Sequence, residues 1–106
     1  MAVSIEARVE KVEPGAIKGQ IIVEAKGDGV RVRFDVIKDL VDLKEGDRIK
    51  LVIKDAEEED AVFCGRGYVV PQEGDRTIFS VWGILFVFTP SIDLEPDKEY
   101  FLCIKK

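Results

Sequence analysis

Gly27-Asp28-Gly29-Val30-Arg31-Val32-Arg33-Phe34-Asp35-Val36 is the stretch from which the fold is read. Val30, Val32, Phe34 and Val36 share one parity, and Arg31, Arg33 and Asp35 share the other. Successive side chains of a strand point to opposite faces, so this is a strand with one apolar and one wet face. The Gly-Asp-Gly before it supplies the positive φ that a tight hairpin turn needs. Ile17–Glu24 is then the preceding strand of that hairpin.

The same period of two runs outward from this pair. Upstream, Val3, Ile5, Ala7 and Val9 alternate with Ser4, Glu6, Arg8 and Glu10, and Pro14-Gly15 signals a turn. Downstream, Glu45-Gly46-Asp47 turns the chain into Arg48–Lys54, where Ile49, Leu51 and Ile53 point one way. Phe63–Val70 is a strand interrupted by Gly65 and Gly67, and glycines so placed mark a bulge, a bend or a close backbone approach. Pro71–Asp75 reads as a turn, and Pro90–Asp97 as a loop. Thr77–Trp82 and Ile84–Phe88 are strands separated only by Gly83, which predicts a bend within one long strand or a bulge. Tyr100–Ile104 is the last strand, with Lys105-Lys106 a solvated end. Between them, Ile37, Leu40 and Val41 have the i, i+3, i+4 spacing of one short helix. About eight short strands and at most one short helix suit a small closed barrel or a sandwich.

Composition agrees. Fourteen valines and 11 isoleucines, against six leucines and six alanines, favour pleated structure because β-branched side chains are stiff at χ1. The 106 residues make one domain, 1–106, with an apolar share of 46% that is enough for a core. There is no asparagine and glutamine occurs only twice, as in proteins that work hot. No apolar run is long enough to span a membrane, and the first residues enter an alternating pattern, so a cytoplasmic protein is expected.

Charge and chemistry narrow the function. The net charge is −5, divided as +1 over residues 1–54 and −6 over residues 55–106. Nucleic-acid binders usually carry a basic face, so little or no direct nucleic-acid binding is expected, and no aromatic shares the parity of Arg31 and Arg33. With no histidine, neither a Ser-His nor a Cys-His pair is possible. Gly65-Arg66-Gly67 is not followed by the Gly-Lys-Ser/Thr of a phosphate loop. Asp93, Glu95 and Asp97 read as solvent-facing. Asp55–Asp60 holds five carboxylates in six residues without the ligand spacing of a calcium loop, so it reads as a solvated loop and no metal is expected. Cys64 and Cys103 form no CxxC pair and read as buried free thiols. No catalytic residue and no cofactor is expected.

Three blocks resemble one family. They are Phe63-Cys64-Gly65-Arg66-Gly67-Tyr68-Val69-Val70, Ser80-Val81-Trp82-Gly83-Ile84-Leu85, and Tyr100-Phe101-Leu102-Cys103-Ile104-Lys105-Lys106. Their order and gaps resemble the small G subunit of archaeal DNA-directed RNA polymerase, whose eukaryotic counterpart is shared by the three nuclear polymerases. The resemblance implies an OB-like antiparallel barrel. It implies a non-catalytic structural and assembly subunit, seated on the largest polymerase subunit away from the catalytic magnesium. Eukaryotic members have a longer insertion near Asp55–Asp60, so its role is not carried over. The alternative is a free-standing OB-fold protein that binds single-stranded nucleic acid on an aromatic platform of the Tyr68, Trp82, Phe86, Phe88 and Phe101 type.

The strand at Thr77–Trp82 is apolar on both parities, which predicts cover on both sides. Aromatic anchors and glycine-permitted approach suit a protein interface. The candidate partner-binding residues are therefore Gly65, Gly67, Tyr68, Phe79, Val81, Trp82, Gly83, Ile84 and Leu85.

Overall fold

The computed structural model describes residues 2–71 and 74–106. Its strands are β1 (Val3–Pro14), β2 (Gln20–Gly27), β3 (Val30–Ile37), β4 (Arg48–Lys54), β5 (Phe63–Val70), β6 (Thr77–Val81), β7 (Ile84–Thr89) and β8 (Glu99–Lys105). Every pairing is antiparallel, and the order β1-β2-β3-β7-β6-β5-β8-β4 closes into a barrel. Closure leaves no edge to aggregate. The expected all-β closed barrel of eight strands is what the chain forms.

Alternation fills the interior. Ile5, Ala7 and Val9 of β1, Val32, Phe34 and Val36 of β3, and Ile49, Leu51 and Ile53 of β4 are all buried. Phe34 stacks on Phe86 with ring centroids 4.8 Å apart, and Phe79 tilts against Tyr100 at 6.4 Å. In β1 the register slips between Val9 and Lys11, opposite Ala25 and Glu24. The extra residue, Glu10, moves the inward parity from Val9 to Val12, so the strand runs on to Pro14 beyond the point where simple alternation stops.

No helix forms at Ile37–Leu43. Leu40 N–H and Val41 N–H both donate to the Ile37 carbonyl, at 2.9 and 3.1 Å, and the turn goes no further. Ile37 and Leu40 stay exposed while Val41 and Leu43 are buried under one end of the barrel. At the other end Ile92 and Leu94 pack against the core from the β7–β8 loop. That loop is tied by the Glu95 N–H to Tyr100 Oη (3.0 Å) and by the Ile92 N–H to Thr77 Oγ1 (3.0 Å). The turn expected at Pro71–Asp75 includes residues 72 and 73, which lie outside the described residues.

Candidate partner-docking site

Trp82 and Gly83 make a two-residue hairpin turn, with Val81 paired to Ile84 across it. Their φ values are 52° and 87°. The expected bend or bulge is therefore a tight hairpin of the kind in which both central residues are left-handed. The β2–β3 hairpin has the same geometry at Asp28 (51°) and Gly29 (75°). Aspartate tolerates that conformation, whereas a bulky residue there costs on the order of 1 kcal/mol. Trp82 gains little burial in return: it is 73% exposed and touches Phe63 edge-on, with centroids 6.1 Å apart.

The outer wall around this hairpin is apolar. Tyr68 lies opposite Ser80, and Ser80 opposite Leu85, so two exposed side chains flank one small residue. The next row along the strands is Val70, Ile78 and Val87. A groove of about 390 Å³ borders the wall, with Gln20, Ile22, Arg33 and Asp35 facing Leu85 and Val87. On the opposite margin the Arg66 guanidinium sits 5.0 Å from the centre of the Phe101 ring.

The structure divides the candidate residues. Tyr68, Trp82 and Leu85 are exposed, and Gly83 shares the hairpin tip. Phe79 and Val81 are 0% exposed and point into the barrel, so they offer nothing to a partner. Ile84 also packs inward. Gly65 and Gly67 face inward too. A Cβ at Gly65 would lie 2.3 Å from Val81 Cγ1, and one at Gly67 would lie 2.1 Å from the Ser80 carbonyl oxygen. The close approach that these glycines permit is thus between β5 and β6 of the same barrel. The doubly apolar look of β6 resolves in the same way: its odd positions fill the core and Ile78 faces out, half-buried.

Alternation assigns Ile17 to a strand, and the i, i+3, i+4 spacing assigns Ile37 and Leu40 to a helix face. All three are exposed, as is Val62. They stand at the end of the barrel that carries Trp82, because β1, β3 and β6 finish there and β5 begins there. The available signal was an isoleucine lodged between two turn markers, Pro14-Gly15 and Gly19.

Two further expectations are corrected on the adjoining wall. Cys64 and Cys103 are directly opposed across β5 and β8 and form a disulfide, with Cα atoms 4.1 Å apart. Parity alone could not show that both thiols point outward at one level. The acidic segment covers them: the Glu58 carbonyl is 3.9 Å from Cys64 Sγ, and Cys103 is fully buried. Asp55–Asp60 is therefore not simply a solvated loop. Glu58 pairs with Lys54 and, at 3.2 Å, with Lys105, and the hydrogen bond from Lys54 is the main reason its carboxyl is held below the usual range. Nor is the Lys105-Lys106 end free, because Lys106 Nζ reaches Asp47 at 3.2 Å and donates to the Asp42 carbonyl at 3.0 Å. Among the described residues no group of His, Cys, Asp and Glu is placed to hold a metal.

The family model for the G subunit of DNA-directed RNA polymerase matches residues 2–106. The chain belongs to that family. A DNA-directed RNA polymerase subunit Rpo8 of Saccharolobus solfataricus is 26% identical over 123 aligned positions, covering 96% of this chain and 91% of the relative. The role is that of an RNA polymerase subunit within the multi-subunit enzyme. The blocks that first carried the resemblance are β5, the β6–β7 hairpin and β8, and these strands are neighbours in the barrel. The family match reaches further, over the β1–β4 half that none of the three blocks touches. Among the described residues no helix is long and apolar enough to cross a membrane.

Proposed function

We propose that this subunit is a non-catalytic assembly element that docks on the largest polymerase subunit through the β5–β6–β7 wall, with Trp82, Tyr68 and Leu85 as its contacts. The observation that carries the reading is Trp82. A tryptophan in a left-handed hairpin position, 73% exposed, holds a strained backbone while covering little of its own surface in the free chain. Such a residue is the kind that anchors an interface, where aromatic side chains entering a partner's pocket dominate the binding energy. Tyr68 and Leu85 are exposed on the wall beside it, and Ile17, Ile37, Leu40 and Val62 are exposed at the same end of the barrel, a concentration of apolar surface that suits an interaction site on a small protein. The chain contributes no nucleophile, acid or base to chemistry, in keeping with a position away from the catalytic magnesium.

The test is capture of tagged protein with the largest subunit co-expressed. Near-stoichiometric recovery is expected from the wild type, with loss on Trp82→Asn. Recovery of RNA-processing factors without the largest subunit would overturn the reading.

A further inference from the structure

The cations of the chain are not spread evenly over the barrel. Lys26, Arg8 and Arg48 are direct neighbours across β2, β1 and β4, and all three side chains are exposed. The next outward row is Glu6, Lys50 and Lys105, across β1, β4 and β8. These residues, with Lys106, line a groove of about 430 Å³ in which Glu6 is the single carboxylate among the described residues. Lys105 and Lys106 have partners in Glu58 and Asp47. Arg8, Lys26, Arg48 and Lys50 make no ion pair among the described residues. On β3, by contrast, the outward arginines are matched, Arg31 to Glu10 and Arg33 to Glu24, each at 3.2 Å.

Like charges directly opposite each other in a sheet destabilise it. A chain with 21 carboxylates and 16 cations had acids enough to interleave here, and it places three cations side by side instead. Neighbouring strands are about 4.8 Å apart, so the four strands from β2 to β8 present positive charge over roughly 14 Å. The groove offers no aromatic and no exposed apolar anchor, which argues against a protein segment, since protein interfaces concentrate their energy in buried anchors. Arginine forks and point-charge lysines suit phosphate oxygens.

We propose that this groove binds the sugar-phosphate backbone of a nucleic acid, by charge and without reading sequence. In barrel order β1 and β4 stand across from β6 and β7, so the docking wall and the basic groove face opposite ways and both are usable at once. Four unmatched cations make a weak site, with a dissociation constant on the order of 10⁻⁴ M at physiological salt.

The experiment is fluorescence anisotropy of a labelled single-stranded RNA 20-mer with the full chain. Four phosphate contacts predict a loss of about 50-fold in affinity between 50 and 200 mM salt. Arg8→Glu combined with Arg48→Glu should lower affinity at least tenfold. Arg31→Glu combined with Arg33→Glu, with the same change in net charge, should leave it within about threefold. Arg8→Glu alone also breaks the row of cations, so its melting temperature should equal or exceed that of the wild type. A misfolded variant is thereby told apart from a binding defect. Equal losses from the two double variants would overturn the proposal, as would a poly-glutamate peptide of equal charge that binds more tightly than the RNA. Failure here leaves the docking reading intact, because the capture test uses another face.

Discussion

Replacing Trp82 by asparagine separates stability from assembly. Asparagine tolerates the left-handed conformation held by Trp82 (φ 52°), as Asp28 does in the sister hairpin (φ 51°), so the substitution recovers on the order of 1 kcal/mol of backbone strain. Against this stands lost burial. With 73% of Trp82 exposed, about a quarter of a side chain of roughly 250 Å² is covered, which is worth about 1.5 kcal/mol. The edge contact with Phe63 adds about 0.5 kcal/mol. The terms leave a net loss of about 1 kcal/mol in the free chain, a drop of roughly 4–8 °C in Tm for a domain of this size. A tryptophan anchor is worth at least about 2 kcal/mol in an interface, so affinity for the largest subunit should fall roughly 30-fold. Thermal melts and a binding titration on one preparation measure both. A loss of about 3 kcal/mol or more in the free chain would show that Trp82 is a structural plug. Unchanged affinity would remove it from the interface.

Three other perturbations probe the wall and its neighbour. Phe79→Ser should cost the free protein about 3–5 kcal/mol in denaturant unfolding, because Phe79 is fully buried, whereas half-buried, outward-facing Ile78→Ser should cost less than about 1.5; equal costs would mean that both parities are core. Gly67→Ala should destabilise more than Gly65→Ala, since the new methyl meets the Ser80 backbone in one case and the Val81 side chain in the other. Val81→Ala should partly rescue Gly65→Ala but not Gly67→Ala, and rescue of both would refute that placement. The Glu58 carboxyl is held low, first by Lys54 and then by Lys105, so its folded pKa lies below its unfolded one. Its stabilisation is therefore present above the unfolded value and is lost as pH falls through the folded one. The gap in Tm between wild type and Glu58→Gln should then narrow as pH drops below about 4.5, while Glu57→Ser and Glu59→Ser, at exposed positions, should matter little at any pH.

The strands were legible wherever one parity was apolar: β4 and β5 run as alternation reads them, Arg48–Lys54 and Phe63–Val70. The misreadings have specific causes. Tryptophan is not a turn residue, so Trp82-Gly83 looked like a bend in one strand. A bulge at Glu10 shifts parity, which hid the second half of β1. Among the candidate docking residues, Tyr68, Trp82 and Leu85 face outward and Phe79 and Val81 face inward, a division that apolar composition cannot make because it does not say which side of a strand faces in. The disulfide and the basic groove depend on register between strands distant in sequence. Arg8, Lys26 and Arg48 become neighbours only when the barrel closes, and a net charge of −5 conceals them.

The position of β8 has a consequence for synthesis. It lies between β4 and β5 and pairs with both. A nascent chain made as far as Lys98 therefore holds two unpaired edges and cannot close the barrel, whatever its earlier hairpins have formed. Residues Glu99–Lys105 must also clear the ribosomal tunnel before they can insert. Closure thus waits for β8 to emerge, and until then the open edges of β4 and β5 are the ones a chaperone would have to shield.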